Sequence, residues 1–141
     1  MAGIAEVLGG KKTLSRKLHN RFDLMEMSKK GITKGALKHL AEYLSLSTGQ
    51  LADLLPVSKR TILRYTAKKL FNRIVSEQIL QIAEVVAKGT EAFGDKEKFI
   101  SWMHSPSKAL ANQTPLTLLS SRFGTEMVLD ELGRIEYGVY S

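Results

Sequence analysis

The chain has no cysteine. Disulfides and thiolate metal sites are therefore excluded, and the composition suits a reducing cytoplasm. No apolar run approaches the length needed to cross a bilayer. The start, Met1-Ala2-Gly3-Ile4-Ala5-Glu6, lacks the basic-then-apolar layout of a secretory signal. Its three histidines, His19, His39 and His104, have no metal-ligand spacing, so no metal and no cofactor is expected. Gly3, Gly9, Gly10 and Gly31 form no phosphate-binding loop. Ser47, Ser58 and Ser76 read as helix caps, because no base is placed to activate them as nucleophiles. With no nucleophile–base pair, an enzyme is not expected. Internal repeats and low-complexity segments are also absent.

The sequence does supply a core and an uneven charge. Of its 141 residues, 43% are hydrophobic, enough for one compact domain or two small ones sharing a core. The net charge is +7. Residues 1–73 hold 15 Lys/Arg against 5 Asp/Glu, and residues 74–141 hold 6 against 9. A basic first half points to a polyanion partner, most often nucleic acid.

Periodicity predicts helices almost throughout. Residues 1–21 are weakly periodic and basic, with Gly9-Gly10-Lys11-Lys12 as a flexible stretch. Phe22, Leu24, Met25 and Met27 suggest a short helix stopping near Gly31. Thr33 caps a helix from Lys34 to Leu44. Ser47 or Thr48 opens the next, with Leu51, Leu54 and Leu55 buried and Pro56 as its end. Ser58 caps a helix running to about Lys69. A helix from near Ser76 has an apolar stripe (Ile79, Leu80, Ile82, Ala83, Val86, Ala87) wide enough to suggest burial against a second subunit. Asp95 caps a helix whose core face is Phe99, Ile100, Trp102 and Met103. Thr114-Pro115 opens another. The last is read from Gly124, with Met127, Val128 and Leu132 as its stripe and Gly133 as its close.

The pair from Thr48 to Lys69 has the layout of a helix-turn-helix, with Pro56-Val57 where such turns often place glycine. Ser58, Lys59, Arg60, Thr61 and Arg64 open the second helix. Its first N–H groups suit a phosphate. Arginine can make paired hydrogen bonds to guanine, and Thr61 can touch a base or a thymine methyl. Lys68 and Lys69 extend the strip toward backbone phosphates. The plainer reading is a solvated helix with a basic face. The ending Leu132–Ser141 carries two tyrosines, two β-branched aliphatics, an arginine and two glycines. Such a composition either binds a partner or folds back onto the core.

From Gly31 onward the chain resembles the Xre/MbcA/ParS antitoxins, partners in type II RES–Xre toxin–antitoxin modules. The resemblance rests on Gly-Gln-Leu-Ala-Asp-Leu-Leu-Pro-Val-Ser-Lys-Arg-Thr-Ile-Leu-Arg-Tyr at residues 49–65. It rests also on Ala92-Phe93-Gly94-Asp95, Trp102, Thr114-Pro115-Leu116 and residues 132–141. The family often has a Pro-Asn-Pro-Ala-Leu-Gly-Gly-like turn before Thr-Pro; here Ser105-Pro106-Ser107-Lys108-Ala109-Leu110-Ala111-Asn112 stands there. The resemblance implies an all-α, dimeric protein with a Xre-like helix-turn-helix, a helical toxin-binding domain and an extended C-terminal tail. It implies a RES-domain toxin that degrades NAD as partner, a tail that covers or enters the toxin's active-site cleft, and operator binding that represses the operon. The domains read as a basic extension (1–30), a DNA-binding region (31–75) and a dimerisation and toxin-binding domain (76–141). Within the tail, Tyr137 and Tyr140 offer rigid contact area, with Ile135 beside them. Arg134 suits a toxin carboxylate, and Glu136 and the Ser141 carboxylate suit toxin arginines that otherwise hold phosphate. The alternative is a stand-alone helix-turn-helix regulator in the cytoplasm without a toxin.

Overall fold

The computed structural model describes residues 2–138. Within them the chain is helical, with isolated β-bridges at Thr33–Leu70 and Ser107–Gln113 and no strand. None of the described helices is long and apolar enough to cross a membrane. The chain divides into two compact units, Met1–Glu84 and Val85–Ser141.

The first unit holds α1 (Ala2–Val7), α2 (Arg21–Lys30), α3 (Lys34–Tyr43), α4 (Thr48–Ala52), α5 (Lys59–Arg64) and the start of α6 (Arg73–Phe93). Caps set the helix starts. Thr33, Ser47 and Ser58 each accept a backbone N–H three residues on, as their types and positions dictate. Asn20 and Asp23 form a reciprocal capping box for α2. The Asp23 carboxyl is held below its usual range, first by the His19 backbone N–H that donates to it at 2.8 Å, then by the Asn20 N–H and the Arg16 guanidinium.

Three expectations change here. The helix from Thr48 ends at Ala52, so Pro56 follows a helix already closed. The helix from Lys59 ends at Arg64, which puts Lys68 and Lys69 in the chain beyond it. The next helix begins at Arg73, capped by Asn72, whose Oδ1 accepts the Val75 N–H at 2.9 Å. Ser76 is therefore no cap. It is fully buried, and its hydroxyl accepts the Ile32 N–H at 2.8 Å and donates to the Phe71 carbonyl at 3.2 Å.

The early stop of α5 has a tertiary cause. The first N–H groups of a helix have no partner inside it. On α3 these donors, Lys34 N–H and Gly35 N–H, bond to the carbonyls of Lys69 (3.0 Å) and Ala67 (2.9 Å). Phe71 N–H bonds to Ile32 O at 2.8 Å, and Lys34 Nζ donates to Tyr65 O at 2.8 Å. Those carbonyls serve α3 only because residues 65–71 leave the helix. The apolar stripe of α6 also reads differently. Ile79, Leu80, Ile82, Ala83 and Val86 are buried within the chain itself and Ala87 is half-buried, so its width calls for no second subunit. Of the first helical stripe, Met27 is buried, whereas Phe22 and Met25 are exposed.

The second unit contains the end of α6, α7 (Lys96–Met103), α8 (Pro115–Leu118) and α9 (Arg122–Glu136). Phe99 and Met103 are its buried centre, with the Phe93 and Trp102 rings tilted against Phe99 at centroid distances of 6.0 and 6.4 Å. Ring pairs of this kind add about 0.5–1.5 kcal/mol beyond their buried area. Asp95 and Thr114 cap α7 and α8. The last helix starts earlier than the sequence suggests, with Ser121 as its cap. It also continues through Gly133 to Glu136, so half of the ending read as a tail is helix. Met127, read as part of the core stripe, is exposed, while Val128 and Leu132 are buried.

Two measurements check this account. Ser76→Ala should cost about 1–3 kcal/mol in a urea melt followed by circular dichroism, because it strands a buried N–H and removes a donor from a carbonyl. Cost within error would show that the hydroxyl is dispensable. In α9, a Cβ at Gly124 would lie 2.0 Å from the Leu118 carbonyl oxygen, whereas one at Gly133 would meet nothing within 4 Å. Gly124→Ala should therefore destabilise by about 1–3 kcal/mol, and Gly133→Ala should stabilise by about 0.5–1 kcal/mol. Both are read through the fluorescence of Trp102, the single tryptophan.

Candidate functional site

The helix-turn-helix is built on α4 and α5. The link between them, residues 53–58, continues in helical turns, with Leu54 N–H bonded to Leu51 O and Leu55 N–H to Ala52 O. No residue in it has a positive φ, so the turn makes no demand for glycine. Leu54 and Leu55 are buried, and Gln78 Nε2 donates to the Leu54 carbonyl at 2.9 Å, which ties the turn to α6. Ile62 is fully buried and anchors α5 from beneath.

The outward residues of α5 divide by role. Ser58 Oγ accepts the Thr61 N–H at 3.1 Å and donates to Thr61 Oγ1 at 2.9 Å, so both side chains are engaged in the cap. Lys59 lies back across α4: a Cβ on Gly49 would sit 3.0 Å from its Cδ and 3.1 Å from its Nζ. Arg60 and Arg64, one turn apart, are exposed. Leu63 is exposed beside them. Sequence reasoning passed over this residue, although an outward leucine at the centre of a basic helix face was a readable signal. Lys68 and Lys69 follow in the segment that returns to α3, and Lys69 Nζ stands 5.6 Å from the Tyr65 ring centroid. Among the described residues none of Lys59, Arg60, Arg64, Lys68 and Lys69 is in an ion pair.

In the second unit the outward face of α9 is the notable surface. At 100° per residue, Phe123, Met127, Asp130, Arg134 and Tyr137 fall on one stripe, opposite the buried Val128 and Leu132. Phe123 is 80% exposed and Tyr137, the residue closing the helix, 79%. Arg134 is held by Glu131 at 2.9 Å. Ile135 is half-buried on the inner side, and Glu136 is exposed. Tyr140 and Ser141, both singled out in the sequence, lie outside the described residues. Met127 had been read as part of the core stripe and Phe123 had been given no place; their outward placement is visible only once the phase of α9 is known. Among the described residues no group of three or more His, Asp or Glu is arranged to hold a metal ion.

Residues 23–84 match the Antitoxin Xre-like helix-turn-helix domain, and residues 88–138 match the Antitoxin Xre/MbcA/ParS C-terminal toxin-binding domain. The chain belongs to the Xre/MbcA/ParS antitoxin family. It is an antitoxin of a toxin–antitoxin system, with a DNA-binding part ahead of a toxin-binding domain. Relatives include an Antitoxin Xre of Yersinia enterocolitica, 29% identical over 120 residues, which cover 84% of this chain and 81% of that protein. An Antitoxin Xre of Photorhabdus laumondii is 33% identical over 79 residues, 55% of this chain and 53% of the relative. The fold is similar to a chain in the crystal structure of the M. tuberculosis MbcT–MbcA toxin–antitoxin complex. The TM-score is 0.56 at 19% identity, over 88% of this chain and all of that one.

Proposed function

We propose that this antitoxin neutralises a RES-domain toxin that degrades NAD, and that it binds the operator of its own operon in the cytoplasm and represses it. The observation that carries the toxin half is the outward stripe of α9. Two large aromatics, Phe123 and Tyr137, bracket Met127, Asp130 and Arg134 on a helix whose other side is fixed in the core. Exposed aromatics with an arginine between them are the residues that dominate protein interfaces. On this reading Tyr137 marks where the chain leaves the helix toward the toxin cleft. Arg134, Ile135, Glu136, Tyr137, Tyr140 and Ser141 then cover the toxin's active site. The solved complex that shares the fold is itself a toxin–antitoxin pair, which supports the same assignment.

The DNA half rests on α5. Arg60 and Arg64 are the residues placed to reach base edges, with Leu63 available to a thymine methyl, and Lys59, Lys68 and Lys69 serve the backbone. A homodimer completes the reading, since a palindromic operator needs a two-fold protein. Its support is the first unit's surface: Met25 lines a cleft of about 310 Å³ between α2 and α6. On the same helices Phe22 and Ile74 are 74% and 71% exposed. The competing reading, a regulator without a toxin, makes the α9 stripe idle.

A separation-of-function experiment decides between them. A chain ending at Glu136 keeps α9 intact; it should bind DNA as before and lose about 30-fold or more in affinity for the toxin encoded beside it, the effect of removing one anchor aromatic. NAD consumption by that toxin should resume. Arg60→Ala with Arg64→Ala should show the reverse, with DNA affinity down by about 1–3 kcal/mol per side chain and neutralisation untouched. Full neutralisation by the truncated chain sinks the plug model, and unchanged DNA affinity at fixed salt removes α5 as the reading helix. Light scattering at micromolar concentration should give a dimer; a monomer contradicts that part.

A further inference from the structure

Residues 1–22 precede the matched helix-turn-helix domain, which begins at residue 23, and no role has been given to them. Those that the structure describes, 2–22, are part of the first unit. Ile4, Val7, Leu8 and Leu18 are buried. His39 Nδ1 lies 3.4 Å from the Val7 carbonyl, Thr33 Oγ1 donates to the Thr13 carbonyl at 3.5 Å, and the Thr13 hydroxyl bonds to the Leu8 carbonyl. Arg16 is paired with Asp23 at 2.8 Å. The segment is thus seated on the start of α2 and along α3 from its cap to His39.

That seating places two exposed lysines on the segment that meets α3. Gly9 and Gly10, at φ +98° and +61°, make a turn that side-chain-bearing residues rarely adopt. It leads directly into the 3₁₀ turn Gly10–Lys12, which carries Lys11 and Lys12 outward. The next residue, Thr13, meets the start of α3 where the Lys68–Lys69 segment also meets it. A Cβ on Gly35 would lie 3.8 Å from Thr13 Cγ2 and 3.2 Å from the Ala67 carbonyl oxygen. Lys11 and Lys12 thus stand two and one residues before the Thr13 contact at this junction, and Lys68 and Lys69 one and two residues after the Ala67 contact. Among the described residues none of the four is ion-paired, whereas Arg16, Arg21, Arg122 and Arg134 all are.

We propose that Lys11 and Lys12 grip the phosphate backbone of the DNA that α5 engages, continuing the Lys68–Lys69 strip. This rests on the DNA-binding reading of α5 given above. The folded start of the chain is then a second, sequence-blind DNA contact. A partner with acidic protein surface would also attract lysines, but continuity with the α5 strip favours DNA. Phosphate contacts add affinity without base preference and release counterions, so they are visible in salt dependence.

The test uses the full-length chain and fluorescence anisotropy across a salt series. Two duplexes of equal length are probed: the region upstream of this chain's gene, and an unrelated sequence. Lys11→Ala with Lys12→Ala should weaken binding to both by the same factor. The slope of log affinity against log salt should become shallower by about 2, near 0.9 for each lost phosphate contact. The melting temperature and toxin neutralisation should not change, and Lys11→Arg with Lys12→Arg should bind as the native chain does. A slope equal to that of the native chain overturns the inference, as does loss confined to the upstream duplex. Loss of toxin binding instead reassigns the lysines to a protein interface. If the native chain binds neither duplex, the DNA reading falls and takes this inference with it; if it binds and only the lysine variant is silent, this inference falls alone.

Discussion

The first unit is organised around the buried hydroxyl of Ser76. It accepts from Ile32 and donates to Phe71, so it joins the entry to α3, the exit from the helix-turn-helix and the first turn of α6. A buried hydroxyl left unsatisfied would cost more than its hydrogen bonds return, which makes this arrangement close to all-or-none. From that point the neighbouring bonds follow in register: Phe71 N–H to Ile32 O, Lys34 N–H to Lys69 O, Gly35 N–H to Ala67 O. The same ladder closes α5 at Arg64. The helix that presents Arg60 and Arg64 is short because its continuation is used as a cap for α3.

Charge is placed by the same logic of partners. In the second unit Arg122 and Arg134 have neighbouring glutamates one turn away. Among the described residues of the first unit, the lysines and arginines around α5 and Lys11 and Lys12 after the Gly9–Gly10 turn have none. Exposed ion pairs are worth about 0–1 kcal/mol, so leaving these cations unpaired sacrifices little stability. What it supplies is a surface of one sign, whose attraction for a polyanion reaches over roughly the 10 Å screening length of 0.1 M salt. Affinity for a polyanion is gained there at little expense to the fold.

Much of this was legible in the sequence because the informative residues act locally. Thr33, Ser47, Ser58, Asp95 and Thr114 cap helices through bonds to N–H groups two or three residues on, and each was readable from residue type and position. The all-α class and the helix-turn-helix came from the same short-range pattern. What was not legible is tertiary. The stop of α5 at Arg64 depends on donors from α3, thirty residues earlier. Ser76 looked like a cap because serine before an apolar run usually is one; only the approach of Ile32 and Phe71 shows otherwise. The wide stripe of α6 could not be divided between self-burial and a partner without knowing what the rest of the chain covers.

The α9 stripe shows the same limit from the other side. Met127 and Val128 are adjacent and similarly apolar, and sequence alone gives no reason to separate them. Gly124 does. It packs where a Cβ would strike the Leu118 carbonyl, so that edge of α9 is pressed against the end of α8. Once Gly124 faces inward, the helical repeat sends Val128 and Leu132 inward with it, and Phe123, Met127 and Tyr137 outward. α9 is then a helix with one side clamped and the other exposed. Arg134 is already oriented by Glu131 before any partner arrives. Side chains ordered in advance lose less entropy on association than those of a free tail, so a partner meeting this face gains affinity from the order the fold already provides.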